Sequence, residues 1–489
     1  MRLRLAVLAL AASTVLVLAG CSAVSHPDAT PSASAPATGD RRSVSEPTNP
    51  STTCATVPAQ LTLTDGAGTA AQEAAPPDTS RLQQALDACV QKSGSVVAVR
   101  LVASGTSSDF LSGPLTVGQG EVLVLDPGVT LYASRNPADY QVSGRATCGT
   151  IGGSGDGCVA FLTLGGSHAG VASAPGADGS QGRIDGRGGA QMLGSSQSWW
   201  QLSVAAKDGG AQNVPRLVQA RHVDDITLHD IDLVDSAGFH VSFQDGDGLT
   251  VWGVRIHTPA TARNTDGIDP AGATDVTVAS SWIMDGDDGI AIKAGTGASA
   301  HISIVNDHFF GTHGISIGSE TTAGVSDVLV ADDTVSGTDA LGTASASSAA
   351  IRIKSSPHAG GLVQDVTYRD VCADAVKAPI DIDPDYANGK GSTTPWFSDI
   401  SIDGFRSSSS PAGATSTLKG TDAAHPLSLS IVNTSVDASR VDAAFANIAV
   451  SGATFGGAPL VSGGSGVTVT ETAATGDVPP CAFPPYPAL

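Results

Sequence analysis

The chain reads as an all-β protein, a single-stranded solenoid of stacked parallel strands, and three observations carry that reading. Short apolar alternations begin at Ile268, Ile290, Ile315, Ile351 and Ile380, most of them just after a turn bearing Asp or His. A second set, out of phase with the first, begins at Ile226, Leu249, Val276, Ile302, Val328, Val366 and Ile400, usually with Asp before it and Thr or Ser after it. Gly supplies 58 of 489 residues, above its usual share of roughly 7%, as suits a chain that turns several times per coil. Two short strands in each repeat of about 25 residues is how a parallel β-helix is written in sequence.

Taken in order, the N-terminus looks like an export segment. Arg2 and Arg4 precede an apolar run from Leu5 to Leu18, too short for the roughly 20 residues a spanning helix needs. Leu18-Ala19-Gly20-Cys21 has the form of a bacterial lipobox, so residues 1–20 are expected to be a lipoprotein signal peptide and Cys21 the lipidated residue. Residues 21–53, rich in Ser, Ala, Pro and Thr without apolar period, are expected to form a flexible tether. The β-helix domain is placed at 54–489, exported and held at the membrane only through its lipid, as a monomer.

One helical pattern is read, from Asp78 to Cys89, with Leu82, Ala85, Leu86 and Cys89 on one face and Asp78 or Thr79 as its cap. It is expected to close the N-terminal end of the solenoid, where strand edges would otherwise lie unpaired. The strands that follow, such as Ile290-Ala291-Ile292, Ile315-Ser316-Ile317 and Ile351-Arg352-Ile353, have the period of two of a sheet with one buried face.

Cysteine usage agrees with export. Setting Cys21 aside, six of the seven cysteines remain, an even set suited to an oxidising compartment. Of the 15 pairings that six cysteines allow, the expected ones are Cys54–Cys89, Cys148–Cys158 and Cys372–Cys481, which would clip the N-terminal cap, a Gly-rich loop and the C-terminal tail. No Cys-x-x-Cys or His-x-x-x-His spacing is present, so neither a metal nor a cofactor is expected. The net charge of −22 argues against nucleic acid as a partner. A polyanionic substrate would need a local basic cleft, for which Arg352 and Lys354 are the candidates.

The chemistry lies in the register. Counting the first apolar residue of each alternation as zero, Asp266, Asp288 and His313 all stand at minus two, and Gly267, Gly289 and Gly314 at minus one. Stacked coils would set these side chains in one column, about 4.8 Å between neighbours, with Asp287 beside it and Arg352, Lys354 and Lys293 on the outer strand face. A single Asp-Gly is a turn signal. Three carboxylates gathered in one place repel one another and raise at least one pKa, which points to chemistry. A carboxylic acid of raised pKa can protonate a glycosidic oxygen while its ionised neighbours activate water, and Arg and Lys beside them would hold a sugar carboxylate.

These strings resemble glycoside hydrolase family 28, the polygalacturonases: Asn264-Thr265-Asp266-Gly267-Ile268-Asp269, Gly286-Asp287-Asp288, His313-Gly314-Ile315-Ser316-Ile317-Gly318-Ser319 and Arg352-Ile353-Lys354. Supporting strings are Ile184-Asp185-Gly186-Arg187-Gly188 with Trp199-Trp200, Pro215-Arg216-Leu217, and Pro379-Ile380 through Tyr386. The resemblance implies a right-handed parallel β-helix that cleaves α-1,4-galacturonosyl linkages of homogalacturonan, the pectic polysaccharide partner, with inversion. It implies Asp287 as general acid, Asp266 and Asp288 as the pair that positions and deprotonates water, and His313 as the residue governing the acid's protonation. It further implies Arg352 and Lys354 on the galacturonate carboxylate, Tyr386 against the sugar on the leaving-group side, and Asn264 shaping the Asp266 turn. Two departures stand out: Gly289 where many members carry Cys or Asn, and a Ser- and Ala-rich stretch from Gly337 to Ala350 expected to alter the cleft edge.

Other readings predict other behaviour. A pectate lyase would use Ca²⁺ and a basic proton abstractor, a rhamnogalacturonan hydrolase would act on another pectic polymer, and a β-helix adhesin would bind glycan without turnover.

Overall fold

A computed structural model of the chain describes residues 37–92, 94–386, 391–460, 463–473 and 476–489. The expected signal peptide and Cys21 lie outside the described residues. From Pro36 onward the chain is one unit, built almost wholly of parallel ladders.

Both predicted registers are the observed ones. On one face, eleven strands stack coil over coil, and Val218, Val241, Ile268, Ile290, Ile315, Ile351 and Ile380 are successive ladder partners. On a second face Ile226, Leu249, Val276, Ile302, Val328, Val366 and Ile400 stack in the same way. The residues of both ladders point inward and are buried; truncating one to Ala removes a core layer at about 2–5 kcal/mol.

Each coil also carries a third strand that the sequence reading does not predict, as at Arg255–His257, Trp282–Met284, His308–Phe310, Thr334–Ser336 and Cys372–Asp374. These segments present a single inward residue each, Ile256, Ile283, Phe309, Val335 and Ala373, and three residues are too few to show an alternation. Their start is marked instead by backbone. Asp230, Ser280, Asn306, Asp332 and Asp370 turn the second strand into the third with φ between 52° and 63°. The Asp that precedes the second apolar alternation has the same cause: Asp225, Asp275, Asp327, Asp365 and Asp399 all have φ between 52° and 57°. Asp and Asn tolerate this left-handed conformation better than bulkier residues.

The helix expected at Asp78–Cys89 is present as Thr79–Asp87, with Leu82 and Leu86 buried. Asp78 occupies the N-cap position, but its carboxylate does not cap; it accepts from the Leu111 N–H at 2.7 Å and from Arg81 at 2.6 Å. Two further helices, Ala70–Ala74 and Trp199–Ala205, are too short for a 3.6-residue pattern, yet each opens with a capping box, Thr69 with Gln72 and Ser198 with Gln201. The three expected disulfides, Cys54–Cys89, Cys148–Cys158 and Cys372–Cys481, are formed.

The tether expectation fails from residue 37 onward. Residues 37–49 run down the outside of the second face as an extended strap, crossing coils in reverse order. Thr38 and Gly39 N–H groups donate to Asp327 at 2.7 and 3.0 Å, the Asp40 N–H to Ser303 at 2.9 Å, and Arg41 forks onto Asp275 at 2.9 and 2.6 Å. Arg42 then reaches the Leu249 carbonyl at 2.8 Å and Asn49 that of Ser173 at 3.0 Å. Low apolar content rules out a core of its own, but not satisfaction by polar groups standing out from a finished sheet. The C-terminal tail does likewise on the third face: beyond Cys481, Tyr486 donates to the Ile256 carbonyl at 2.8 Å and packs edge-on against Phe310 and His257.

Candidate active site

The face that no described terminal segment crosses carries a cleft of about 750 Å³ running along the coil axis from Phe239 to Tyr386. Its floor is the predicted column. Asp266, Asp288 and His313 stand on consecutive rungs, each two residues before a ladder partner, and all line the cleft together with Asp287, Asn264, Lys293, Arg352, Lys354 and Tyr386. The glycines beside the column are required by the closeness of the coils. A Cβ on Gly267 would meet the Gly289 carbonyl, and one on Gly289 would meet the Phe309 ring, so Gly289 leaves room for a core aromatic.

Asp287 is the most exposed of the three aspartates, and both of its oxygens are held. One oxygen lies 3.1 Å from His313 Nδ1, and the other accepts from Asn264 Nδ2 at 3.1 Å. Its own N–H donates to Asp285 at 2.9 Å. Asn264 sits at φ 56°, a conformation that suits Asn, and is fixed from behind by Gln212, which donates to it at 2.9 Å while accepting from Arg263 at 3.0 Å. Arg263 in turn donates to the Ser203 carbonyl at 2.9 Å, so the short helix Trp199–Ala205 supports the site at one remove.

Asp288 is buried and fully engaged: Ser316 donates at 2.8 Å, Lys354 Nζ at 2.6 Å, and Arg352 lies at 3.8 Å. Arg352 Nε is also 3.1 Å from Asp381. Both basic residues were expected on an outer strand face, and they are; the cleft walls nevertheless leave only 9% and 5% of them exposed. Both cations lie over the Tyr386 ring, at 5.3 and 5.0 Å from its centre.

Upstream, Lys293 Nζ bridges Asp269 at 2.6 Å and Asp266 at 3.4 Å and rests 4.5 Å above the Phe239 ring. Burial pushes Asp266 well above the ordinary carboxylate range, with Asp269 adding to it and Lys293 opposing. Asp269 is pushed up to about 6, again chiefly by burial. Asp287 moves the other way. Burial would raise it, but the hydrogen bond and charge of His313, then the charges of Lys354 and Lys293, outweigh this and bring it down to about 2.

Sequence reasoning brought together every site residue it named among the described residues. It gave no role to Asp269, Ser316 or Phe239, whose signal was their place in the ladder. The Gly337–Ala350 stretch does shape the cleft edge: Ala344, Ala346 and Ser347 line it, and buried Asp339 staples its turn by accepting from Leu341, Thr343 and Ala260 N–H groups. Among the described residues Asp287, Asp288 and His313 are the one group whose ligand atoms, within 4.8 Å of each other, have the makings of a metal site. A cation there would have to displace the Lys354 ammonium from Asp288.

Comparison with known proteins agrees with this geometry. A profile of the family described as glycosyl hydrolases family 28 matches residues 165–454. An endo-polygalacturonase of Pectobacterium parmentieri is 40% identical over 398 residues, which is 81% of this chain and 89% of the relative. A Ralstonia solanacearum polygalacturonase is 36% identical over 403 residues, 74% of this chain and 73% of the relative. Among solved structures, the polygalacturonase from Erwinia carotovora ssp. carotovora aligns with a TM-score of 0.69 at 35% identity, over 90% of this chain and 99% of that one. With its cleft motifs in register on a right-handed parallel β-helix, the chain belongs to glycosyl hydrolase family 28.

Proposed function

We propose that this protein hydrolyses the α-1,4-galacturonosyl linkages of homogalacturonan, with inversion at the anomeric carbon. The observation that carries the reading is one cleft in which Asp266, Asp287, Asp288 and His313 adjoin Arg352 and Lys354, acid–base groups beside a cationic pair suited to a uronate. Arg352 and Lys354 bind the carboxylate of the sugar on the leaving-group side, and Tyr386 packs against that sugar. Asp287, the carboxylate turned toward the cleft, protonates the departing oxygen, while Asp266 and Asp288 orient and deprotonate the attacking water.

Asp287 is held ionised in the unliganded cleft, so it must gain a proton before it can give one. Substrate acts in that direction twice, because its carboxylate offsets the charge of Lys354 and its ring excludes water from the acid. Asp266, whose carboxyl is raised by burial, is the rival donor, and substituting each aspartate in turn separates the two readings.

The test is incubation with unesterified polygalacturonate, following reducing ends and, by proton NMR, the anomer released first. We expect hydrolysis with a β-configured new reducing end, without unsaturated products. A 4,5-unsaturated uronide abolished by chelation would indicate a lyase, and tight binding without turnover an adhesin.

The lipobox supports a second part of the proposal: the enzyme is exported, acylated at Cys21 and held at the cell surface or in the periplasm. Cys21→Ala should then move active enzyme from the membrane to the soluble fraction; the unaltered protein found wholly soluble with another N-terminus would contradict acylation.

A further inference from the structure

We propose that Arg216 and Phe239 form a second uronate-recognition site, on the side of the catalytic carboxylates opposite Arg352 and Lys354. This rests on the polygalacturonan reading and extends it to the sugars on the non-leaving side of the scissile bond.

The first support is register. Val218 and Val241 are the ladder partners that precede Ile268, so the positions two residues before each partner read Arg216, Phe239, Asp266, Asp288, His313. The catalytic column therefore continues upstream as an aromatic and then a cation, Arg216 standing about 10 Å before Asp266 at the usual rung spacing. The cleft extends in that direction as far as Phe239. A polymer lying along the coil axis over Asp287 must pass over that ring.

The second support is the likeness of the two ends. Downstream, Arg352 and Lys354 flank Tyr386 at 5.3 and 5.0 Å. Upstream, Arg216 and Lys293 flank Phe239 at 5.4 and 4.5 Å. Each is a pair of cations on one aromatic ring, and the acids lie between them. An aromatic face is a platform for the apolar side of a pyranose, and the adjacent cations meet its carboxylate.

The third support separates Arg216 from its neighbours. Lys293, Arg352 and Lys354 are all ion-paired to aspartates. Among the described residues the Arg216 guanidinium has neither a hydrogen-bonded nor an ion-paired partner, and its Nε is buried without one. Burial disfavours its charge, offset in part by the fields of Asp269 and Asp266, yet an arginine does not give up its proton in a protein. Arg216 is only partly buried, but its enclosed Nε–H lacks an acceptor, which is unfavourable until a ligand supplies one, and a carboxylate matches the guanidinium fork with two parallel hydrogen bonds.

The experiment compares wild type, Arg216→Ala and Arg216→Lys on polygalacturonate and on end-labelled galacturonate oligomers, recording kcat, KM, cleavage position and melting temperature. We expect Arg216→Ala to lower kcat/KM by about tenfold to a hundredfold, mainly through KM. Its preferred cleavage position on a labelled oligomer should move, because binding frames that used the upstream site lose their advantage. Arg216→Lys should recover part of the loss. Unchanged kinetics and cleavage pattern in folded Arg216→Ala would overturn the proposal. So would a fall in rate that leaves the cleavage pattern alone and tracks a fall in melting temperature. Inactive wild type would instead overturn the polygalacturonan reading on which this site depends.

Discussion

The three faces of the coil differ in what meets their outward side chains. On the second face Asp275, Ser303 and Asp327 are taken up by the backbone of residues 38–40 and by Arg41, and the third is crossed by the tail that carries Tyr486. On the remaining face Asp266, Asp269, Asp288 and Asp381 are met by Lys293, Lys354 and Arg352 from neighbouring rungs. The same ladder thus yields a sealed wall where a terminus supplies the partners, and a charged groove where the rungs must pair among themselves. The groove is also where a polymer can lie.

Buried acids alone do not mark the site. Asp307 and Asp333 stack at another corner, where Asp307 accepts the Ser281 N–H at 2.7 Å and Asp333 the Asp307 N–H at 2.6 Å. Burial pushes Asp307 up to about 8. The expectation that gathered carboxylates signal chemistry is therefore too broad, since these two serve a turn. What sets the cleft column apart is its opening to solvent and its cations.

The sharpest break in this comparison is Lys354→Ala. It leaves buried Asp288 without its 2.6 Å partner, and losing one member of a buried pair costs about 3–5 kcal/mol. Denaturant unfolding should show that loss, alongside a fall in kcat/KM of about tenfold or more. Unaltered stability would mean that the cleft cations are not what holds its acids. Next comes Asp307→Asn. The folded state keeps on Asp307 a proton that the unfolded chain releases above its ordinary carboxylate pKa, so the residue's contribution is whole below that pKa and is lost as pH rises to about 8. The variant should flatten the decline in melting temperature over that window and leave activity intact; a parallel decline in both proteins would refute a protonated Asp307. The smallest effect belongs to Arg41→Ala, which removes the strap's ion pair with Asp275, a pair whose arginine end is exposed. Turnover should not change and stability should fall only within the range of a surface pair. Loss of turnover would show that the strap acts on the cleft.

How much of this was legible in the sequence follows from the same physics. Ile268, Ile290, Ile315 and Ile351 announced both strand and register because inward residues of a stacked coil must be apolar and in line, and that register placed Asp266, Asp288 and His313 together. The third strand was hidden because one inward residue, such as Ile283, makes no pattern. The strap was hidden because its order depends on Asp327, Ser303 and Asp275, far along the chain, and its own composition matches that of a loose linker. The partners of the acids were half visible. Lys354 was evident as a cation, but its hold on Asp288 requires knowing which rungs meet, and Asp269 looked like part of a motif until Lys293 was seen to bridge it to Asp266.

The central claim is that the cleft column is a hydrolytic site in which Asp287 gives the proton. Its most direct test is turnover of polygalacturonate by Asp287→Asn beside wild type, with melting temperature and substrate affinity measured on both. An amide keeps the size of the carboxylate but cannot protonate the leaving oxygen, so turnover should fall by several orders of magnitude while folding and binding persist. Near-normal turnover by a folded Asp287→Asn enzyme would contradict the account and pass the role of donor to Asp266.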